Sequence, residues 1–119
     1  MRLALLILSA LAGVVFLTAS AGAEARKLRG AEITKLLTGH TLVGPTDEPT
    51  AAQTFQADGM LAYESSDGKK LGRWKVVGDK YCFAWDEKSE PKCAEVIADP
   101  PVVGFIEADG TKGLWLIKQ

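Results

Sequence analysis

Paired turn residues recur along most of this chain, and they break it into pieces too short for anything but strands. They are Gly44-Pro45, Asp58-Gly59, Asp67-Gly68, Gly78-Asp79, Pro100-Pro101 and Asp109-Gly110. Glycine takes positive φ without steric cost, and aspartate bonds its own backbone two residues on, so such pairs mark corners. The runs between them are rich in β-branched and aromatic residues, which suit a pleated, half-buried surface. Strands are expected near 40–44, 52–57, 60–65, 70–77, 80–86, 92–98, 102–108 and 112–118. Turn signals at this spacing point to a mainly β fold, an antiparallel meander or small β-barrel of about eight strands. Pro45 and Pro49 make the first connection a loop.

The corners also allow register to be tested. A two-residue turn at Gly78-Asp79 pairs Val76 with Tyr81 and Trp74 with Phe83, with Trp85 following on the same face. A two-residue turn at Asp67-Gly68 would pair Leu61 with Trp74 and Tyr63 with Gly72. Both put Leu61, Tyr63, Trp74, Val76, Tyr81, Phe83 and Trp85 on one apolar surface, and send Arg73, Lys75 and Asp86 to the other. That agreement between turn chemistry and alternation is the strongest structural signal in the chain. A turn at Asp109-Gly110 would pair Glu107 with Lys112, Phe105 with Leu114, Val103 with Leu116 and Gly104 with Trp115. Both faces of that hairpin are apolar, so the buried one is not identified. Phe55 falls opposite Ala62, off the aromatic face, unless a bulge or a different loop length at Asp58-Gly59 brings it back.

Before the strands lies one short amphipathic segment. In Gly30 to Gly39, Ile33, Leu36 and Leu37 fall at i, i+3 and i+4, which predicts a helix from about Ala31 to Thr38. Glu32 near its start and Lys35 later suit the helix dipole. Gly39 can provide a left-handed cap. Residues 24–29 are charged, show no apolar face, and are expected to form a flexible leader. Further upstream, Arg2, an apolar run from Leu3 to Leu17, and Ala21-Gly22-Ala23 form the pattern of a secretory signal cleaved near Ala23. The apolar run is short of the ~20 residues a membrane span needs. The division is therefore 1–23 signal peptide, 24–29 leader and 30–119 one β-barrel-like domain, periplasmic or secreted.

Two cysteines, Cys82 and Cys93, are spaced C-x10-C. An even count in an exported chain reads as a disulfide. Zinc wants about four ligands, and a redox dithiol usually shows C-x-x-C; with only His40 to assist, neither fits. No metal or cofactor is expected. Closing this loop should contribute roughly 3 kcal/mol in the chain-entropy view.

The formal net charge is −1, and losing Arg2 with the signal makes it more negative. Nucleic-acid and anionic-membrane partners, which favour a basic face, are not expected. His40 has no nucleophile pattern around it. Asp86, Glu87, Glu90 and Glu95 alternate with Lys88 and Lys92 as a solvated loop does. No esterase, zincin or phosphate-loop motif occurs, so no catalysis is expected. Tyr63, Trp74, Tyr81, Phe83 and Trp85 either line a ligand cavity, as in small barrels that hold one molecule, or simply fill a core.

The runs LTGHTLVG (37–44), FQADG (55–59) and GRWKVVGDKYCFAW (72–85), together with Cys93, resemble small exported uncharacterised proteins of alphaproteobacteria. That resemblance implies a periplasmic all-β domain and brings no assigned activity. The run WKVVGDKYC (74–82) also resembles W-x-L-x-G-D-x-x-C in the periplasmic metalloprotease inhibitors, and the overall plan resembles exported protease and lysozyme inhibitor barrels. The chain departs from that plan in its leading helix and in having both cysteines in its second half, so no inhibitory residue carries over. The expectation is a monomeric, non-catalytic binding or interaction protein with an unidentified periplasmic protein or envelope partner. The alternatives are an inhibitor of an envelope-directed hydrolase, presenting 44–51 or 24–30, and a carrier of a small apolar ligand. Thiol titration of freshly exported protein should find no free thiol; two free thiols would remove the disulfide.

Overall fold

The structure, a computed structural model, describes residues 25–119; the signal expected over 1–23 lies outside the described residues. Nine strands and one helix follow in order: β1 (Arg26–Lys27), α1 (Gly30–Leu37), β2 (Thr41–Gly44), β3 (Ala51–Phe55), β4 (Met60–Ser65), β5 (Gly68–Val77), β6 (Lys80–Ala84), β7 (Lys92–Asp99), β8 (Val102–Glu107) and β9 (Lys112–Ile117). From β2 to β9 each strand pairs antiparallel with its sequence neighbour, and β9 returns to β2. The result is a closed eight-stranded up-and-down barrel, which leaves no open edge among those strands.

At the β5–β6 corner the expected register holds: Trp74 opposes Phe83 and Val76 opposes Tyr81. At Asp67-Gly68 it shifts. Ser66 and Asp67 make the turn, Ser65 opposes Gly68, Leu61 faces Gly72 rather than Trp74, and Tyr63 faces Lys70 rather than Gly72. The Asp67 amide donates to Ser65 Oγ at 3.2 Å, and Gly68 leaves the turn at φ 122°. Since the shift is two residues, every side chain keeps its face.

The Asp109-Gly110 corner differs by one residue, and the consequence is larger. Ala108-Asp109-Gly110 forms a three-residue loop. It is closed by Glu107 N–H to the Thr111 carbonyl and Gly110 N–H to the Glu107 carbonyl, both 2.8 Å. This is the three-residue hairpin with its last residue left-handed; Gly110 has φ 90°. Val103 therefore opposes Trp115 and Phe105 opposes Gly113. The expected pairs Glu107–Lys112, Phe105–Leu114, Val103–Leu116 and Gly104–Trp115 do not form. Ala57-Asp58-Gly59 makes the same loop, with Gln56 N–H on the Met60 carbonyl at 2.9 Å. In both loops the aspartate Oδ1 accepts the amide two residues on, at 2.9 Å. The extra residue brings Phe55 opposite Leu61 and onto the inner face.

The helix closes one end of the barrel. Ile33 and Leu37 are fully buried with Leu42, Phe55, Leu61, Val96 and Val103. Each such side chain contributes about 1.5–3 kcal/mol of transfer free energy. Gly39, at φ 79°, ends the helix as expected. The leader is not free along its whole length. Beyond Ala94, β7 has no partner from β6. Arg26 and Lys27 fill that edge opposite Ala98 and Ile97, and Leu28 is buried with its amide on the Val96 carbonyl at 2.8 Å. Polarity hid this short strand, because its side chains lie outside the core, where they pair with Glu32 and Glu95, and leave no apolar alternation.

Glu32 ties the leader to the helix. Its carboxylate accepts from Arg26 at 2.7 Å and from the Arg29 amide at 3.0 Å. The Arg26 bond and the Arg29 amide hold its pKa at about 2, below the usual carboxylate range. A depressed folded pKa stabilises above the unfolded value, near 4.3, and is lost as pH falls towards 2. The protection factor of the Leu28 amide, its exchange rate relative to an unstructured peptide at the same pH, should therefore fall between pH 4.5 and 2, more at low salt, and Glu32→Gln should remove that pH dependence. Protection unchanged across this window would contradict the tie.

Candidate ligand cup at the open end of the barrel

Alternation along each strand decides which side chains enter the barrel, and their sizes differ between its two ends. Near the helix the inward residues are large. At the far end they include Gly44, Gln53, Gly72, Ala94 and Gly113. What remains there is a cup of about 330 Å³, lined by Gln53, Tyr63, Tyr81, Phe83, Ala94 and Trp115 among others, with Lys70, Trp85, Lys92 and Glu107 towards the mouth. Its volume is at the lower end of ordinary small-molecule sites.

Two glycines shape its walls. A Cβ at Gly44 would sit 2.7 Å from Cδ2 of Trp115. A Cβ at Gly72 would sit 2.7 Å from Cε3 of Trp85 and 2.6 Å from the Ala84 carbonyl oxygen. Each indole thus lies over a glycine on the neighbouring strand, a pairing that fills the gap the missing side chain leaves. Aromatic contacts then run from core to mouth. Phe55 meets Trp74 and Tyr81 edge-on at 5.5 and 5.6 Å. Tyr81 meets Phe83 and Phe105 at 5.6 and 5.1 Å. Trp85 meets Phe83 and Tyr63, both at 5.6 Å.

The aromatic residues singled out from sequence therefore divide. Trp74 is core, with its indole N–H on the Gln56 carbonyl at 2.9 Å. Tyr81 is buried at the floor, while Tyr63, Phe83 and Trp85 are half-buried around the cup. Sequence reading missed Gln53, Phe105 and Trp115 as part of this group. The Phe105–Trp115 hairpin was ambiguous because its loop was one residue longer than assumed. Gln53 carried no signal until its strand's inner face was known.

Gln53 is the one buried polar or charged side chain among the described residues, at 8% exposure. It faces the cup and has no side-chain hydrogen-bond partner among them. The Tyr81 hydroxyl likewise has none, and burial pushes its pKa up, so it stays a protonated donor. A buried polar group left unpaired costs about 1–3 kcal/mol. At the mouth the Lys70 ammonium stands 4.1 Å from the Trp85 ring centroid and 5.3 Å from that of Tyr63.

The remaining candidate residues lie elsewhere. Cys82 and Cys93 oppose one another on β6 and β7 and form a disulfide with S–S 2.03 Å. It lies on the outer side of the sheet, as the alternation requires. Asp86 Oδ1 accepts from the Lys88 and Ser89 amides and the Ser89 hydroxyl, which lowers its pKa; it shapes the loop. Glu95 pairs with Lys27 at 2.9 Å. His40 is exposed in a groove of about 590 Å³ beside the helix. That groove, and a smaller one beside the disulfide, contain no buried polar side chain. Loop 45–50 is bonded to itself and, through the Thr46 amide, to the Leu114 carbonyl at 3.0 Å. Among the described residues no three His, Cys, Asp or Glu converge as a metal site would require, and no helix is long and apolar enough to cross a membrane.

Fold and cavity define a closed β-barrel with a cup at one end. No protein-family model matches the chain, and neither a curated protein nor a solved structure matches it.

Gly44→Ala and Gly72→Ala should each destabilise the barrel by about 1–3 kcal/mol through overpacking, and red- or blue-shift the tryptophan emission. Unchanged melting temperature and emission in both would mean that the indoles do not lie on these glycines.

Proposed function

We propose that this is a non-catalytic binding protein of the periplasm or another exported space, acting as a monomer that holds one small ligand in the cup. The reading is carried by Gln53: an amide buried at 8% exposure, lining a cavity, with no side-chain partner among the described residues. A solid core favours apolar side chains at such a position. Tyr81, which lines the same cavity, gives it a second buried polar group, and the aromatic wall supplies apolar contact. A site of this composition takes a ring or short apolar body with a carbonyl or hydroxyl at its buried end. The Cys82–Cys93 bond supports an oxidising compartment.

Gln53→Leu separates this reading from a structural one. Removing an unpaired buried amide should raise stability by about 1 kcal/mol, measured by denaturant unfolding. The same change should weaken binding of 2-naphthamide, a ring bearing an amide, by roughly five- to tenfold, read by tryptophan quenching. Lower stability with unaltered binding would show that Gln53 serves the fold. Native mass spectrometry of protein recovered from its own cells should show one bound small molecule per chain, released on unfolding.

A further inference from the structure

We infer that the ligand carries an anionic group at its outer end, held at the mouth by Lys70 and Lys92 while its apolar body lies in the cup. This rests on the cup being a binding site, and adds the charge class of what it binds. Both lysines belong to the inward rows of their strands: Lys70 alternates with Gly72, Trp74 and Val76, and Lys92 with Ala94 and Val96. Neither has a carboxylate within salt-bridge distance among the described residues, whereas Lys69, on the outer row, has Glu64 at 3.6 Å. The only other charged residue lining the cup is Glu107, so the rim is positive by one charge.

An aromatic mouth could equally suit a cation, which is attracted to ring faces. Here that position is filled. The protein's own Lys70 ammonium stands over Trp85 and within reach of Tyr63. An incoming cation would have to displace it against like charge. An anion instead meets an ammonium already held in place by two rings, with less side-chain freedom to lose on binding. Both ammonium groups are exposed, so the attraction is one that salt screens.

Three probes of one shape, each with a hydroxyl at the far end of the ring for the cup floor, test this: 6-hydroxy-2-naphthoate, 6-hydroxy-2-naphthamide and (6-hydroxy-2-naphthyl)methylammonium, titrated by tryptophan quenching at low and physiological salt. The naphthoate should bind about tenfold more tightly than the amide at low salt, with the gap narrowing as salt rises, and the ammonium should bind most weakly. Lys70→Gln with Lys92→Gln should bring naphthoate to the level of the amide and leave amide binding within about twofold. Both side chains are exposed, so folding should be retained, as circular dichroism will verify. An ammonium that binds best, an amide that equals naphthoate in the unaltered protein, or a naphthoate preference that survives the double substitution overturns the anionic reading alone. Failure of all three probes to bind overturns the cup itself.

Discussion

Eight strands closed on themselves enclose a space just wide enough for their own side chains, and every other property of this protein follows from what its inward rows place there. With the wall fixed, interior volume is set by residue size at each level. Leu42, Phe55, Leu61, Trp74, Val96 and Val103 fill the level beneath the helix, and all are buried. Gly44, Gln53, Gly72, Ala94 and Gly113 occupy the inward rows at the opposite end, where the cup lies. The cavity is therefore not a packing defect spread through the core. It is a step from large to small residues along one axis.

The helix and the disulfide stabilise the wall at two different points. The β6–β7 ladder covers only Tyr81 to Phe83 against Lys92 to Ala94. Past that point β6 ends and β1 takes over the edge of β7, carrying Leu28 and the helix onto the barrel end. Cys82–Cys93 lies within this short ladder, so the covalent link reinforces one of the two shortest pairings in the barrel, the other being β2–β9. At the N-terminus of the helix, the Gly30 amide donates to Asp79 Oδ1 at 2.8 Å. The GDK corner of β5–β6 thus also anchors the helix. The closed end is held by burial, backbone pairing and the Gly30–Asp79 bond, whereas the wall of the open end is held by the two indoles on Gly44 and Gly72.

Most of the wall was legible in the chain because period-two alternation and turn residues state it directly. The Gly78-Asp79 corner and the inner row from Leu61 to Trp85 needed nothing further. The errors came from loop length. Three Asp-Gly pairs look alike, yet two sit in Ala-Asp-Gly loops of three residues and the third straddles the end of a two-residue Ser-Asp turn. A difference of two residues preserved every face at β4–β5, whereas a difference of one changed the facing rows at β8–β9 and withheld Phe105 and Trp115 from the aromatic group. Gln53 was illegible for another reason. A glutamine in a strand says nothing until the strand's inner face is fixed, and that depended on the same one-residue loop extension that recovered Phe55. The β1 strand buries neither of its side chains, which form surface ion pairs instead, so it carried no apolar pattern.

The three indoles report directly on the step from solid to hollow. In 15N-labelled protein titrated with 2-naphthamide, the side-chain N–H signals of Trp85 and Trp115 should shift and exchange rapidly with solvent. That of Trp74, bonded to the Gln56 carbonyl inside the packed level, should stay fixed and protected. If Trp74 moves with the other two, or if all three exchange alike, the barrel has no solid end and no cup, and the account given of its interior is wrong.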